Sequence, residues 1–337
     1  MSEHPYPIAT SRFEILFSVF TCWWIIGLFL DGWAHLHLAS IQETFFTPWH
    51  AIFYSGFIAT TLLFCSAAFR NRHSGFSWFH SLPREYHLAL FGVCVFFLGG
   101  ISDFLWHTIL GIEVNIESLL SPPHILLFFG GVLTLIAPFH SLWHRDGIAL
   151  ARKHPVHVII ATALVWSVLA FITQFAHPYL NAWMGMASYG RDHELAQALG
   201  VISIIVQTVI AMGVILPMVR RWQFPPGGLL LLFGINAFLV VPLNDQLQFF
   251  FPMLFAGLLI DTFYRTVRKN IMHGIKPFRR FAFFVPMLWW APYIITVVLT
   301  EGTWWRVHLW SGSILIAGLT GYLLSYVVVS PGTQEGE

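Results

Sequence analysis

The sequence predicts an all-α fold, a polytopic membrane helix bundle with about ten transmembrane helices. The chain has 337 residues, of which 57% are hydrophobic and 17% aromatic, and only 10% are charged. Soluble globular domains carry about 25% charged residues, so this composition excludes an ordinary soluble domain. Successive apolar runs reach about 20 residues, which is the length that a helix needs to cross the hydrocarbon core. Because backbone groups in lipid must be satisfied internally, these runs are expected to be helices.

Hydropathy places the candidate spans in order along the chain. They run roughly over 13–37, 48–69, 86–108, 122–143, 156–177, 195–219, 227–243, 247–264, 281–300 and 306–329. Pro242, Asn244 and Asp245 interrupt the stretch between the seventh and eighth spans, which could instead form a broken or re-entrant helix. Residues 331–337 are expected to be a disordered tail.

The distribution of Lys and Arg predicts the orientation in the membrane. With a cytoplasmic N-terminus, 15 of the 17 basic residues fall in cytoplasmic segments, and only Arg191 and Arg306 fall outside. Both termini are therefore expected in the cytoplasm, and the expected location is a bacterial inner membrane or another plasma membrane. The chain has no Gly-rich phosphate loop and no basic aromatic patch, so nucleic acid is not expected as a partner.

Two stretches near the N-terminus repeat one pattern of acids and histidines. The first copy contains Asp31, His35, Glu43 and His50, and the second contains Asp103, His107, Glu117 and His124. The offset is 72 residues for the first two positions and 74 for the last two, so a single two-residue insertion reconciles them. This pattern predicts an internal duplication, with repeat A over about 13–70 and repeat B over about 86–143. The repeats occupy an N-terminal half, 1–145, and a second transmembrane half follows over 146–330.

The spacing predicts where these side chains lie in each repeat. Asp31 and His35 are four residues apart, as are Asp103 and His107, so each pair shares one face of a helix. Thr47-Pro48 and Ser121-Pro122 have the residue types of a helix start, which places the following histidine in the first turn. Each repeat is thus expected to be a helical hairpin with its ligands at the outer end. The candidate metal ligands are Asp31, His35, His37, Glu43, His50, Asp103, His107, Glu117 and His124.

A metal site, which could be dinuclear, is the favoured interpretation of this repeated set. Ionisable groups inside membrane spans are costly and usually functional, and here the same four residues, Asp, His, Glu and His, occur in both copies. The alternatives are a structural polar network and a pathway for protons or ions. Imidazole and carboxylate without thiolate favour transition-metal ions, Cu or Fe first and Zn or Mn as further options. A carboxylate could also orient a histidine from behind instead of binding the ion itself.

The pattern Asp-x3-His followed by a histidine at the start of the next segment occurs at Asp31, His35 and His50. It resembles the copper-binding pattern of the C subunit of the copper membrane monooxygenases. The spacing to the last histidine is longer here, and the duplication departs from that pattern. The resemblance covers a short part of the chain, and it implies copper and oxygen chemistry.

These observations predict a metal-dependent, monooxygenase-like membrane oxidoreductase that acts on a lipophilic substrate near the extracytoplasmic face. Membrane lipids are the expected surroundings. The sequence contains no electron-transfer module, so an electron donor or other subunits of a membrane complex are expected as partners. The alternatives are a metal or ion transporter, a metal-delivery protein, a metal-dependent membrane hydrolase and a structural subunit of a larger complex.

Overall fold

The structure, a computed structural model, describes residues 6–38, 46–111, 113, 116–145, 156–190, 192–272 and 274–329. Within these ranges the regular structure is helical, with twelve α-helices joined by loops and short 3-10 turns. The chain divides into two compact units, Met1–Lys153 and His154–Glu337.

The first unit is built from two helical hairpins. Its helices are α1 (Ser11–Leu38), α2 (Pro48–His73), α3 (His87–Leu110), the short α4 (Glu117–Leu120), α5 (Pro122–Leu135) and α6 (Ala137–Arg145). Helix α1 packs along α2, and α3 packs along α5. Both α2 and α5 begin with proline after a hydroxyl residue. The proline ring fixes φ near the helical value, and an N–H in the first turn would have no intrahelical acceptor, so its absence costs nothing there.

The two helices of each hairpin cross at a glycine. A larger residue at this position would require the backbone of the facing helix to shift. A Cβ atom added to Gly56 would stand 2.4 Å from the Cα atom of Trp24, and one added to Gly130 would stand 2.5 Å from the backbone nitrogen of Phe96. The two glycines are 74 residues apart, and the residues they meet are 72 apart. These are the same offsets as those of the acids and histidines, so the two hairpins cross at corresponding points.

Aromatic side chains pack the two hairpins against one another. The ring of Phe96 lies 4.6 Å from the rings of both Trp24 and Phe57, and all three side chains are buried. Nearer the start of α1, the hydroxyl of Ser141 donates to the buried Glu14 carboxylate at 3.0 Å. Because the two hairpins contact each other at both of these points, the C-terminal ends of α1 and α3 lie on the same side of the unit.

The second unit contains α7 (Val156–Ile172), α8 (His193–Arg221), α9 (Gly228–Val240), α10 (Phe250–Ile271), α11 (Ile275–Thr300) and α12 (Val307–Val328). Its core is rich in tryptophan and tyrosine. The indole N–H of Trp289 donates to the Tyr179 hydroxyl at 3.0 Å, and that of Trp290 donates to Thr208 at 2.8 Å. At these two positions large aromatic rings fill the core with their indole N–H groups hydrogen-bonded.

Eight helices among the described residues are long and apolar enough to cross a membrane. They match the predicted spans except for the fifth and seventh, where α7 and the stretch 228–244 are apolar but shorter. The interruption predicted after α9 is present as a 3-10 turn over Val241–Asn244, followed by Asp245 with a positive φ of 55°. The chain is thus a helical protein of membrane-spanning character, and a count of ten spans stays a prediction.

Candidate metal centre

The first group of ligands lies where α1 ends and α2 begins. The Nε2 atom of His35 lies 3.8 Å from Oδ2 of Asp31, and Nε2 of His50 lies 3.5 Å from the same oxygen. One ligand atom from each residue lies within 4.8 Å of the other two. We call these three residues the first triad.

The second group repeats this arrangement where α3 ends and α5 begins. The Nε2 atoms of His107 and His124 lie 3.3 and 3.2 Å from Oδ1 of Asp103, and the Asp103 residue is only 1% exposed. We call these three residues the second triad. Each triad thus combines two imidazole nitrogens with one carboxylate, close enough together to hold a metal ion.

A hydroxyl residue at the helix start contacts the last histidine in both triads. Oγ1 of Thr47 lies 3.1 Å from Nδ1 of His50, and Oγ of Ser121 lies 2.8 Å from Nδ1 of His124. When Nδ1–H donates to the hydroxyl oxygen, the lone pair of Nε2 is left for a metal ion. The capping residue therefore orients the histidine as well as beginning the helix.

Glu113 adds a carboxylate beside the second triad. Its Oε2 lies 3.2 Å from Nδ1 of His107, and the backbone oxygen of Gly111 lies 3.3 Å from the same nitrogen. The Gly111 carbonyl can only accept a hydrogen bond, so the contact places the proton on Nδ1. In the neutral ring, Nε2 then presents its lone pair toward Asp103.

The carboxylate oxygens of both triads are suited to a cation. Oδ1 of Asp31 is buried and has no hydrogen-bond partner among the described residues, and Oδ1 of Asp103 is buried beside the two histidine nitrogens of its triad. A buried carboxylate without compensation is costly. A positive charge between the ligands would compensate these buried carboxylates. The donor set therefore fits a bound transition-metal ion.

The two triads lie close enough to affect each other. Asp31 interacts electrostatically with Asp103 and His107. Tyr54, one turn after His50 on α2, interacts with the carboxylates of Asp31 and Asp103. The position that corresponds to Tyr54 in the second hairpin is occupied by Phe128. The triads therefore share one electrostatic environment, with a phenol supplied by one hairpin.

Two predicted ligands that the structure describes lie outside both triads, and a third is not described. His37 stacks on the Trp33 ring, and its Nδ1 donates to the Trp33 carbonyl at 2.8 Å. Glu117 is exposed at the start of α4. Glu43 lies outside the described residues. A ligand role for these three residues stays a prediction.

Sequence reasoning missed the roles of Glu113 and Tyr54. Glu113 has no counterpart in the first repeat, so comparing the two copies passes over it. Tyr54 lies in an apolar run where a tyrosine resembles an ordinary packing residue. Its spacing of four from His50 was the available signal, since residues so spaced share a helix face.

Comparison with known proteins yields no relative for this chain: no family model, no curated protein and no solved structure matches it.

Proposed function

We propose that this chain is an integral membrane metalloprotein that binds one copper or iron ion in each triad and oxidises a lipophilic substrate. The observation that carries the proposal is the occurrence of the same two-histidine, one-carboxylate geometry at corresponding ends of two hairpins. Ionisable side chains are rarely retained in membrane spans without a function. Two copies with matching orienting hydroxyls are difficult to explain as separate helix-end contacts.

The donor set supports oxidation chemistry. Two histidines and one carboxylate that leave coordination positions open are typical of non-haem iron oxygenases, and imidazole also suits copper. An ion bound there supplies the capacity to activate dioxygen. The chain's own residues hold the imidazoles in position, since Thr47 and Ser121 contact the Nδ1 atoms of His50 and His124. A chain without an electron-transfer module would take electrons from a partner protein.

The hairpins also support an origin by duplication. Acids, histidines, orienting hydroxyls and crossing glycines all recur with offsets of 72 or 74 residues. The change of offset occurs between His107 and Ser121, in the segment that connects the two helices of the second hairpin. Duplication of one hairpin therefore accounts for two ion sites of related geometry.

Apolar residues around the triads support a substrate dissolved in the membrane. On α3, Leu105 and Ile109 flank His107 in the sequence and are 50% and 75% exposed. The triads lie at the helix ends opposite Arg12, Arg70 and Arg84. By the positive-inside rule this supports cytoplasmic termini and triads near the extracytoplasmic face.

Metal analysis of the purified full chain tests the proposal. We expect two ions per chain in the wild type and one in either His50→Ala or His124→Ala, with none in the double variant. His308→Ala is the matched control, because this exposed histidine lies outside both triads and its loss should leave the metal content unchanged. Full metal content in both single variants would disprove the site.

Two assays on the metal-loaded protein separate the competing functions. Oxidation of a lipophilic probe by dioxygen and an added reductant, lost in the His50→Ala and His124→Ala variants, is the result expected for an oxidoreductase. Triad-dependent uptake of the ion into proteoliposomes, without oxidation, would identify a transporter instead. Probe cleavage without reductant would identify a hydrolase.

A further inference from the structure

A basic cleft lies between α11 and α12 of the second unit, and none of the residues that line it belongs to a triad. It has a volume of about 520 Å³. Lys276, Arg279 and Arg280 line one part of it, and Phe283, Phe284 and Leu319 line another. No acidic residue is among the described residues that line it. The cleft thus combines three positive charges with an apolar wall one helical turn further along α11.

Arg279 carries hydrogen-bond donors that the described residues do not satisfy. Its Nε and Nη2 atoms are buried and have no hydrogen-bond partner within the described part of the chain. The guanidinium carbon lies 3.7 Å from the centre of the Tyr326 ring, which fixes the plane of the group by a cation–π contact. Tyr322 and Tyr326 pair their hydroxyls with each other at 2.9 Å. An ordered guanidinium that lines a positively charged cleft is suited to an anionic acceptor.

We propose that this cleft binds an anionic phospholipid, with its phosphate against Arg279 and Arg280 and an acyl chain along Phe283, Phe284 and Leu319. Phosphate supplies the acceptor oxygens that an arginine fork matches, and the apolar wall suits a hydrocarbon chain. Basic pockets between transmembrane helices on the cytoplasmic side are typical sites for anionic headgroups. The cleft lies at the start of α11, the end of the bundle that the positive-inside rule assigns to the cytoplasm.

The apolar wall favours a lipid over free phosphate as the ligand. Inorganic phosphate would contact only the arginines and the lysine, and it would leave Phe283, Phe284 and Leu319 without a partner. The lipid meets both halves of the cleft at once. The inference does not depend on the metal function, because it concerns residues of the second unit only.

Native mass spectrometry of the purified full chain tests the assignment. The protein is mixed with phosphatidylglycerol or phosphatidylcholine of identical acyl chains, and the retained lipid is counted. We expect preferential retention of phosphatidylglycerol, reduced at least several-fold in Arg279→Gln and further in Arg279→Gln/Arg280→Gln. Lys269→Gln is the matched control, since it removes one exposed charge at the same end of the bundle but outside the cleft.

Two further measurements keep the result interpretable. The Arg279→Gln variant is expected to keep the thermal midpoint and the metal content of the wild type, which would show that its loss of lipid does not come from unfolding. Should Arg279→Gln unfold, Phe284→Gln replaces it and is expected to lose the lipid. Excess inorganic phosphate should displace little of the bound phosphatidylglycerol. Equal retention by the wild type and the folded Arg279→Gln/Arg280→Gln variant, or complete displacement by inorganic phosphate, would overturn the proposal.

Discussion

Oε2 of Glu113 lies 3.2 Å from Nδ1 of His107, while Nε2 of the same ring faces Asp103 at 3.3 Å. The histidine is thus held between two carboxylates, one for each ring nitrogen. Both oxygens of Glu113 are buried, so the contact is shielded from water. Such an outer carboxylate fixes the tautomer of a metal-binding histidine and raises its basicity. The first triad has no counterpart of Glu113 in the sequence, so the two triads should differ in affinity.

Removal of Glu113 should weaken the second triad selectively. In a His50→Ala background, where the first triad is disabled, Glu113→Ala should lower the metal affinity about 10- to 100-fold, as for other outer-shell partners of metal ligands. Titration against a competing chelator measures this change. Glu194→Ala, which removes an exposed acid at the start of α8, should leave the affinity unaltered. Equal affinities in the two variants would show that Glu113 does not support the ion.

The two capping hydroxyls should have separable effects. Thr47 accepts from the backbone N–H of His50 at 3.1 Å and also contacts the ring, so Thr47→Val should lower both stability, by about 1 kcal/mol, and metal affinity. Ser121 contacts the His124 ring but makes no side-chain cap bond, so Ser121→Ala should lower mainly the metal affinity. Thermal midpoints and chelator titrations measure the two effects, and Thr47→Ser should restore both. A large stability loss in Ser121→Ala would contradict this division.

Alanine at a crossing glycine should destabilise the hairpin. The Cβ atom of Gly130→Ala would meet the backbone of Phe96 at 2.5 Å, and overpacking of this kind costs about 1–3 kcal/mol. A new Cβ at the adjacent Gly131 would have nothing within 4 Å, so Gly131→Ala should be neutral or more stable by up to about 1 kcal/mol from helix propensity. Thermal unfolding in detergent compares the two variants. Equal midpoints would mean that the hairpin is not closely packed at Gly130.

His177 should make stability depend on pH. It lies between α7 and α8, is fully buried, and accepts from the backbone N–H of Tyr179 through Nδ1 at 3.2 Å. Burial lowers the pKa of His177 to about 3, against about 6.5 in an unfolded chain. The unfolded state therefore binds the extra proton between these values. The contribution of neutral His177 to the free energy of unfolding is complete above about pH 6.5. It is lost as the pH falls toward 3, by up to about 1.4 kcal/mol per pH unit.

Unfolding midpoints measured at pH 7 and pH 5 test this dependence. The wild type should lose more stability on acidification than His177→Asn, whose side chain does not titrate. The same substitution at the exposed His308 should leave the wild-type pH response intact. An equal response in wild type and His177→Asn would show that His177 is not buried as a neutral ring.

Much of the helical architecture could be predicted because lipid leaves the backbone few choices. The starts of α2 and α5 at Pro48 and Pro122 were predicted at the residue, since proline and a hydroxyl cap act locally. The span predicted over 122–143 is divided at Ile136 into α5 and α6, and the local signal for this break is Pro138, which lacks an N–H and disfavours helix at the residue before it. The short helix α4 was also missed, because four residues carry too little periodicity to detect.

The triads could be predicted in part for the same reason. Asp103 and His107 share a helix face by spacing alone, and His124 follows a recognisable helix start. The choice between Glu113 and Glu117 as the acid beside His107 could not be made, because it depends on how the connection folds back over the helix end. Alignment of the repeats pairs Glu117 with Glu43, yet Glu113 is the acid that contacts His107.

Tyr54 makes the pair of hairpins unequal, since Phe128 occupies its position in the second copy. The phenol is attached to the same helix as one ligand of the first triad, and it reaches the second triad only from across the hairpin boundary. Chains loaded with a single ion would therefore form two chemically different populations, depending on which side is filled. A bulk absorption or resonance spectrum of such a sample would be a weighted mixture of the spectra of the two populations. The two spectra would be separated only by disabling one triad at a time.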